Sequence, residues 1–386
     1  MEERLATRID EIAPFYVMAL LRRAKQLEQE GRDVIHMEIG EPDFPTPMPV
    51  LNAAIKHLQS GQVKYTSAAG LPELRYKITT FYQRYYGVKI NPERIFITPG
   101  ASGAFLLALG VTLNPDEELL MSDPCYPCNS NFAKLFTGKT KTVAVDETTR
   151  YQLNANLIKQ NWTTTTKGAL IASPSNPTGT LITPDALNKA IHTVNDLGGC
   201  FFSDEIYHGL VYGKVATTAL TFSQNVFVIN SFSKYFGMTG WRIGWLCVPE
   251  SFVEATEKLA QNIFIATSTL AQYAALAALD DETHVELEHR RSKLSARRDF
   301  LYDNLLRLGF KIPIKPEGAF YLYADCSQFT DDSYQFALDF LEAEAVAITP
   351  GKDFGKHKAQ QMLRFAYTTS IDRMTIAMQR LQRFIN

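Results

Sequence analysis

One short segment of the chain combines side chains that can bind a carbonyl compound and a phosphate. Ser231-Phe232-Ser233-Lys234 is followed by Arg242, eight positions after the lysine. A lysine amine can form a Schiff base, and the arginine fork matches phosphate oxygens. The segment directly follows a predicted strand, Val226–Ile229, and open α/β sheets bind ligands at the carboxyl ends of strands. The segment therefore predicts a covalent-binding lysine beside a phosphate site, with an ordinary surface Lys and Arg as the alternative.

Ser231 and Lys234 also fit the S-x-x-K pattern of serine β-lactamases and penicillin-binding proteins. Those enzymes need S-D-N and K-T-G elements as well, and neither string occurs in this sequence. Acyl-serine hydrolysis is therefore the weaker, competing hypothesis.

Two acid and amide segments follow other predicted strands. Asp204 and Tyr207 come after the apolar segment Cys200–Ser203. An aspartate there either caps a helix or faces a basic ring nitrogen and keeps it protonated. Asn176 lies between prolines in Pro174-Ser175-Asn176-Pro177, which is either a plain turn or a rigid mount for an amide donor.

A run of small residues, Thr98-Pro99-Gly100-Ala101-Ser102-Gly103, stands between a predicted strand and an apolar helix. Exposed backbone N–H groups at the start of a helix favour phosphate binding. The run is neither G-x-G-x-x-G nor a P-loop, so on its own it is a weak indication.

The elements that must position these residues alternate between strand-length apolar runs and helical segments. The predicted strands are Arg94–Thr98, Glu118–Ser122, Thr142–Val145, Ala169–Ala172, Cys200–Ser203, Val226–Ile229 and Trp241–Val248. A helix is predicted over Pro184–Leu197, with Thr183 as its N-cap and Gly198 after its end. Because several strands are almost continuously apolar, we expect a mostly parallel sheet covered on both faces.

The two ends of the chain have a different pattern. A helix is expected near Asp10–Glu30, and a charged helix or helix pair over Glu282–Leu308. A hairpin at Lys311–Ala324, a helix at Asp332–Ala343, a strand at Met362–Tyr367 and a final helix follow. This segregation favours a smaller α+β domain built from both ends.

Composition narrows the class of partner. The 386 residues include 39 basic and 41 acidic ones, so charge gives no reason to expect binding to nucleic acid or to an anionic membrane. The first residues, MEERLATRIDE, lack the apolar stretch of a signal peptide, and no apolar run reaches 18 residues. The expectation is a cytoplasmic protein that acts on small molecules.

The cysteines give no reason to expect a metal site. Five cysteines are spread over the chain, and Cys125 and Cys128 form a C-x-x-C pair. A structural zinc site needs a second ligand pair, which the sequence does not offer. We therefore expect free thiols and no metal.

Taken together, the order and spacing of these segments resemble the class I and II pyridoxal-phosphate aminotransferases, the aspartate-aminotransferase-like family. The resemblance runs from Gly40-Glu41-Pro42-Asp43-Phe44 to Arg364. It implies the α/β fold of type I pyridoxal-phosphate enzymes, with a large domain over residues 46–285. The smaller α+β domain would combine residues 1–45 and 286–386.

The resemblance also implies roles for single residues around pyridoxal 5′-phosphate. Lys234 looks like the Schiff-base lysine and proton carrier, and Asp204 like the partner of the ring nitrogen. Asn176 and Tyr207 match the donors to the phenolic oxygen, and Tyr126 matches the aromatic residue that stacks on the ring. The residues that match the phosphate cradle are Ala101, Ser102, Ser231, Ser233 and Arg242.

Three further matches concern the substrate and a second subunit. Arg364 matches the arginine that grips the substrate α-carboxylate, and Gly40 a backbone position beside that carboxylate. Tyr65 matches a tyrosine that reaches the phosphate of the neighbouring subunit, which implies a homodimer with shared active sites. The implied reaction is ping-pong exchange of an amino group between an L-amino acid and a 2-oxo acid.

The amino donor is left open by the sequence. Some dicarboxylate-specific relatives bring a second arginine from the adjacent subunit, and the matching stretch Ala266–Gln272 has none. Phe15, Tyr16 and Phe264 are expected to line an apolar side-chain pocket or to be core residues. Neutral or aromatic donors, or broad specificity, are therefore favoured, and aspartate is not excluded.

Three other functions are weighed against transamination. A lyase or synthase on the same fold is the nearest alternative, because fold does not fix the reaction. A regulator's sensor domain would carry an additional DNA-binding module before the family match, which here begins within the first few dozen residues. The acyl-serine hydrolase is the third.

Overall fold

A seven-stranded sheet is the centre of the structure, a computed structural model that describes residues 5–12 and 14–386. The described chain has twelve strands, of which β2 to β8 form this sheet. They are β1 (Ile35–His36), β2 (Ile95–Thr98), β3 (Glu118–Asp123), β4 (Lys139–Ala144), β5 (Thr166–Ala172), β6 (Cys200–Asp204), β7 (Phe227–Ser231), β8 (Gly244–Cys247), β9 (Tyr321–Asp325), β10 (Val346–Ala347), β11 (Thr349–Pro350) and β12 (Met362–Ala366).

Twelve α-helices of the described chain surround the strands. They are α1 (Tyr16–Gln29), α2 (Met48–Gln59), α3 (Pro72–Tyr86), α4 (Gly100–Gly110), α5 (Cys128–Leu135), α6 (Ala155–Asn161), α7 (Pro184–Asp196), α8 (Val253–Ile263), α9 (Thr269–Ala278), α10 (Asp281–Arg307), α11 (Ser333–Glu344) and α12 (Ile371–Ile385).

The order of strands in the large sheet is β2-β8-β7-β6-β5-β3-β4. β8 runs antiparallel to β2 and β7, and all the other neighbouring pairs are parallel. β2, β7 and β8 are buried along their whole length, as apolar strands covered on both faces must be. The predicted α/β fold is confirmed, and the carboxyl ends of β5, β6 and β7 meet at one edge.

Local signals place α7 as the sequence predicts. The Thr183 hydroxyl accepts a hydrogen bond from the Ala186 amide at 3.3 Å, and Pro184 occupies the first turn. Gly198 follows the helix with a φ of +72°, a conformation that favours glycine. The helix and its cap are confirmed.

Two smaller pairings join the ends of the chain. β9, β12 and β11 form an antiparallel sheet, and β1 pairs with β10 in parallel. The charged segment near Glu282–Leu308 is the single 27-residue helix α10 and not a helix pair. The boundaries predicted for a large domain (46–285) and a small domain (1–45 with 286–386) stay a prediction.

Three local predictions are wrong in detail. The hairpin over Lys311–Ala324 does not form, because β9 pairs with the distant β12 and Lys311 meets only Asp325 in an isolated bridge. The strand predicted to begin at Trp241 begins at Gly244, since Arg242 has a left-handed φ of +52°. The helix predicted near Asp10–Glu30 begins only at Tyr16, after Pro14. Position 13 of that prediction lies outside the described residues.

No helix within residues 5–12 and 14–386 has both the length and the apolar character that crossing a bilayer requires.

Candidate active site

A cavity of about 310 Å³ opens at the carboxyl ends of β5, β6 and β7. Every residue to which the family resemblance gives a role at the cofactor or the substrate carboxylate, except Tyr65, lines it. These residues are Gly40, Ala101, Ser102, Tyr126, Asn176, Asp204, Tyr207, Ser231, Ser233, Lys234, Arg242 and Arg364. Because the strands are parallel, side chains that are far apart in sequence meet at this edge of the sheet.

Lys234 stands three positions after Ser231, the last residue of β7, and lines the cavity. Its ammonium donates a hydrogen bond to the Gly40 carbonyl, with Nζ and O 2.6 Å apart. Burial lowers the pKa of Lys234 to about 8, and the charges of Arg364 and Arg242 act in the same direction. About a tenth of this amine is therefore neutral and nucleophilic at pH 7, far more than of an ordinary lysine.

The Ser231 hydroxyl is not paired with this lysine. Ser231 Oγ lies 3.0 Å from Ser233 Oγ and 3.2 Å from the Ile243 carbonyl oxygen. Acyl-serine chemistry requires the base within hydrogen-bond reach of the serine. The arrangement therefore gives no support to the S-x-x-K hypothesis.

Asp204 is the last residue of β6 and is a buried acid on the cavity wall. Its Oδ1 accepts one hydrogen bond, from the Ile206 amide at 3.2 Å. Burial raises the pKa of Asp204 to about 7. A carboxylate can accept about four hydrogen bonds, so Asp204 keeps capacity for a cationic or N–H donor in the cavity.

The start of α4 forms an anion site together with Arg242. The helix has Pro99 at its N-cap and no side-chain cap, which leaves the amides of its first turn for a ligand. Gly100 has a φ of +68°, and a Cβ there would lie 2.7 Å from Arg242 Nη2. With the hydroxyls of Ser231 and Ser233 on the same wall, the site suits a phosphate.

Arg364 on β12 is the third cation of the cavity and is buried, whereas Arg242 is exposed. Its guanidinium donates to Asn176 Oδ1 at 3.0 Å and to the Glu38 carbonyl oxygen at 2.6 Å. It lies over the rings of Tyr321 and Phe354, with Cζ 4.2 Å and 4.8 Å from their centroids. Within the part of the chain that the structure describes, its buried Nε has no partner, and the side chain lines the cavity, where a guanidinium suits a carboxylate.

Three more predicted residues line the same cavity. Asn176 lies beside Arg364, and the Tyr207 hydroxyl is 3.0 Å from the hydroxyl of Tyr321. Tyr126 meets Phe15 edge to face, with centroids 6.4 Å apart. An amide, a phenol and an aromatic ring are thus available to one ligand.

Tyr65 is the predicted residue that the single chain does not bring to the cavity. Its side chain is 83% exposed, in the segment between α2 and α3. Its predicted contact with a neighbouring subunit stays a prediction.

Several lining residues were missed by sequence reasoning. They include Tyr321, Glu41, Thr239 and three residues of α1, namely Val17, Met18 and Leu21. The alternation Phe320-Tyr321-Leu322-Tyr323 was the one available signal for Tyr321, but only pairing with β12 fixes which face meets the cavity.

Of the three aromatic residues expected near a side-chain pocket, Phe15 alone lines the cavity. Tyr16 packs instead on Tyr334, with ring centroids 5.1 Å apart. Phe264 lies beside α4, where its ring would be 3.5 Å from a Cβ at Gly103.

Across residues 5–12 and 14–386, no three His, Cys, Asp or Glu side chains are grouped so that they could hold a metal ion. All five cysteines are free thiols.

Known proteins share both this sequence pattern and this fold. The family model described as aminotransferase class I and II matches residues 32–381. A (5-formylfuran-3-yl)methyl phosphate transaminase from Methanocaldococcus jannaschii is 36% identical and is covered over 100% of its length by 99% of this chain. A valine–pyruvate aminotransferase from Mycobacterium tuberculosis is also 36% identical, over 95% of both chains.

Solved structures of aminotransferases have the same fold. The crystal structure of aspartate aminotransferase from Thermotoga maritima matches with a TM-score of 0.93 at 34% identity, covering 99% of this chain and 100% of that one. The resemblance and the fold class predicted from the sequence are confirmed. This chain belongs to the class I and II aminotransferase family, and its reaction is the transfer of an amino group.

Proposed function

We propose that the enzyme works with pyridoxal 5′-phosphate, which Lys234 holds covalently in the cavity. The observation that carries this proposal is the joint presence of a neutralisable buried amine, the acid Asp204 and an anion cradle. The amine matches the aldehyde, the carboxylate matches the pyridine nitrogen, and the cradle matches the phosphate. The residues present therefore fit the cofactor.

The cradle and the acid divide the binding of the cofactor between them. Arg242, Ser231, Ser233 and the first amides of α4 bind the phosphate. Asp204 accepts a hydrogen bond from the protonated ring nitrogen and so gains a second donor beside the Ile206 amide. Tyr207 and Asn176 donate to the phenolic oxygen, and Tyr126 covers one face of the ring.

The chemical work follows from this arrangement. Bound pyridoxal phosphate would supply an aldehyde for the substrate amine and a protonated ring that withdraws electrons from the α-carbon. Once the substrate amine has displaced it from the aldehyde, Lys234 Nζ would be free to remove the α-proton of the substrate as general base, for which a pKa of about 8 is well matched. Arg364 holds the α-carboxylate and thereby orients the C–H bond that breaks.

We further propose that the amino donor carries a neutral, mostly apolar or aromatic side chain. One side of the cavity is apolar, with Phe15, Val17, Met18, Leu21 and Ile39 in its wall. The cations in the described lining are Lys234, Arg242 and Arg364, and each already has a part in the proposal. A distal carboxylate would therefore find no cation from the same chain and would lose its hydration without compensation.

The working form is proposed to be a homodimer with shared active sites. α2 exposes Met48, Ile55 and Leu58 with relative accessibilities of 60%, 52% and 57%, close in sequence to the exposed Tyr65. Such a group of apolar residues is typical of an interface. Tyr65 of each chain would then reach the phosphate held by its partner.

A cytoplasmic location is also proposed. Five free thiols and no disulfide in the described chain suit a reducing compartment.

The cofactor proposal is tested by the absorption spectrum of purified protein saturated with pyridoxal phosphate. Wild type is expected to show a protein-bound visible band that Lys234→Ala loses. Lys139→Ala, which removes an exposed lysine paired with Asp116, serves as the matched control and should keep the band. A wild-type spectrum identical to that of free cofactor would overturn the proposal.

The donor is tested by adding single amino acids to the same sample. Leucine and phenylalanine are expected to convert the band and to yield one 2-oxo acid per site, with the amino group retained on the enzyme. Faster conversion by aspartate would refute the apolar-donor proposal. Release of free ammonia would identify a lyase.

Subunit sharing is tested by mixing two inactive variants, Tyr65→Ala and Lys234→Ala. A mixed dimer contains one site with both native residues, so activity should reappear on mixing. Mixtures as inactive as the separate variants would contradict shared sites.

A further inference from the structure

Tyr321 lies between the two groups that are proposed to handle cofactor and substrate. It is the first residue of β9, is 1% exposed, and its side chain lines the cavity. We propose that Tyr321 is a positioning residue with two separable parts, a hydroxyl that orients Tyr207 and a ring that supports Arg364. This inference rests on the proposed function of those two residues.

The hydroxyl part concerns the phenolic oxygen of the cofactor. The oxygen atoms of Tyr321 and Tyr207 are 3.0 Å apart, and the two rings meet nearly perpendicularly, at 81°. When Tyr207 donates to the cofactor, its own oxygen is free to accept from Tyr321. Hydrogen bonds in such a chain polarise one another, so the Tyr321 hydroxyl strengthens the donation by Tyr207.

The ring part concerns the carboxylate clamp. The Arg364 guanidinium carbon is 4.2 Å from the centroid of the Tyr321 ring, with Phe354 on another side at 4.8 Å. A guanidinium over an aromatic face is both attracted and restricted in orientation. The ring therefore helps to hold the Arg364 guanidinium, which lines the cavity, in one orientation for a carboxylate.

Gly40 shows how closely the surroundings fit this tyrosine. A Cβ built on Gly40 would collide with the Tyr321 hydroxyl. The Gly40 carbonyl oxygen meanwhile accepts the hydrogen bond from Lys234 at 2.6 Å. Because residue 40 has no side chain, the Tyr321 hydroxyl fits beside it while the Gly40 carbonyl keeps its hydrogen bond from Lys234.

Two substitutions at position 321 separate the two parts. Tyr321→Phe removes the hydroxyl and keeps the ring, while Tyr321→Leu removes both. Tyr323→Phe is the matched control, because Tyr323 lies on the same face of β9, is 5% exposed, and its hydroxyl has no partner in the described residues. Thermal melting of each cofactor-loaded variant checks that the fold is kept.

The hydroxyl is read out by a pH titration of the bound cofactor's visible absorption. A donor to the phenolic oxygen stabilises its negative charge and weakens its hold on the adjacent proton. Tyr321→Phe should therefore raise the midpoint of the titration by about half a pH unit, and Tyr323→Phe should not move it. A Tyr321→Phe midpoint equal to that of Tyr323→Phe would overturn the hydroxyl part.

The ring is read out by binding of an unreactive monocarboxylate, 3-phenylpropanoate, followed in the same spectrum. Its dissociation constant should stay within about twofold for Tyr321→Phe and rise about 3- to 10-fold for Tyr321→Leu. Equal binding by the two variants would overturn the ring part. A wild-type protein that shows no bound-cofactor band would instead refute the proposed function, so the two failures are distinguishable.

Discussion

Two neighbouring acids at the carboxyl end of β6 face opposite sides of the strand and differ in their hydrogen bonds. Asp204 lines the cavity and accepts one hydrogen bond, from the Ile206 amide. Glu205, the next residue, does not line the cavity, and one of its oxygens accepts from Ser203 Oγ, Thr218 Oγ1 and the Ala219 amide, at 2.8–3.1 Å. Adjacent positions near a strand end point to opposite sides.

Burial alone does not distinguish the two acids. It raises the pKa of Asp204 and the pKa of Glu205 to the same value, about 7. The difference lies in what each acid meets. One oxygen of Glu205 takes three donors of the protein, while its other oxygen is buried without a hydrogen bond in the described chain, 3.4 Å from His208 Nδ1. Asp204 has a single donor and lines the cavity. A buried acid with spare acceptor capacity on a cavity wall indicates a ligand, whereas an acid away from the cavity that is held by donors of the protein indicates a structural role.

The largest difference expected between the two acids is in the rate of the catalytic step. Asp204→Asn cannot hold a protonated ring nitrogen by charge, so kcat for transamination should fall about 10³-fold. Glu205→Gln, the matched control one residue away, should stay within about tenfold of wild type. Steady-state rates with a saturating amino acid and 2-oxo acid measure both, and similar losses would mean that the two acids do not differ in function.

The second effect concerns stability and has the opposite sign for Asp204. The folded-state pKa of Asp204, about 7, lies above its ordinary value of 3.8. Its contribution to stability is therefore fully present below about pH 4 and is lost as the pH rises through 7. At pH 8, Asp204→Asn should stabilise the cofactor-free protein by about 4 kcal/mol, since each pKa unit corresponds to about 1.4 kcal/mol.

Urea unfolding of the cofactor-free protein at several pH values checks this expectation. The gain from Asp204→Asn should shrink as the pH falls and vanish near pH 4. A variant that is less stable than wild type at pH 8 would show that the carboxylate is already satisfied within the protein.

A smaller effect extends the same comparison to two buried arginines. Arg94 uses Nε, Nη1 and Nη2 in hydrogen bonds to Val248 and Gln224, whereas Nε of Arg364 has no partner in the described chain. Arg364→Lys loses the fork, so KM for the amino acid should rise about tenfold or more while the spectrum of bound cofactor is unchanged.

Arg94→Lys is the control for that experiment. It should lower the urea midpoint without raising KM, because its hydrogen bonds lie within the protein. An unchanged KM in Arg364→Lys would remove the assignment of Arg364 to the substrate carboxylate.

Much of the site was predictable because it is built from strand ends. Asp204 and Lys234 follow apolar runs that the sequence marks clearly, and parallel strands bring such positions together. Arg364 had no local signal at all, and only the family resemblance assigned it to the site. Its environment depends on β12 pairing with β9 and on contacts with Glu38 and Asn176.

The unpredicted parts depend on long-range packing. Tyr321 was placed in a local hairpin, but its strand pairs with residues about forty positions away, and such pairing cannot be derived from alternation alone. The contribution of α1 was missed for a similar reason. Asp353 fixes the start of that helix by accepting from the Tyr16 and Val17 amides at 2.7 and 2.8 Å, across more than 330 residues.

The most direct measurement is the affinity for pyridoxal phosphate of wild type, Asp204→Asn and Glu205→Gln, obtained at pH 8 by absorbance titration of the cofactor-free proteins. The account predicts a dissociation constant at least about tenfold higher for Asp204→Asn and within about threefold of wild type for Glu205→Gln. Equal affinity of wild type and Asp204→Asn, or a larger loss in Glu205→Gln, would contradict it.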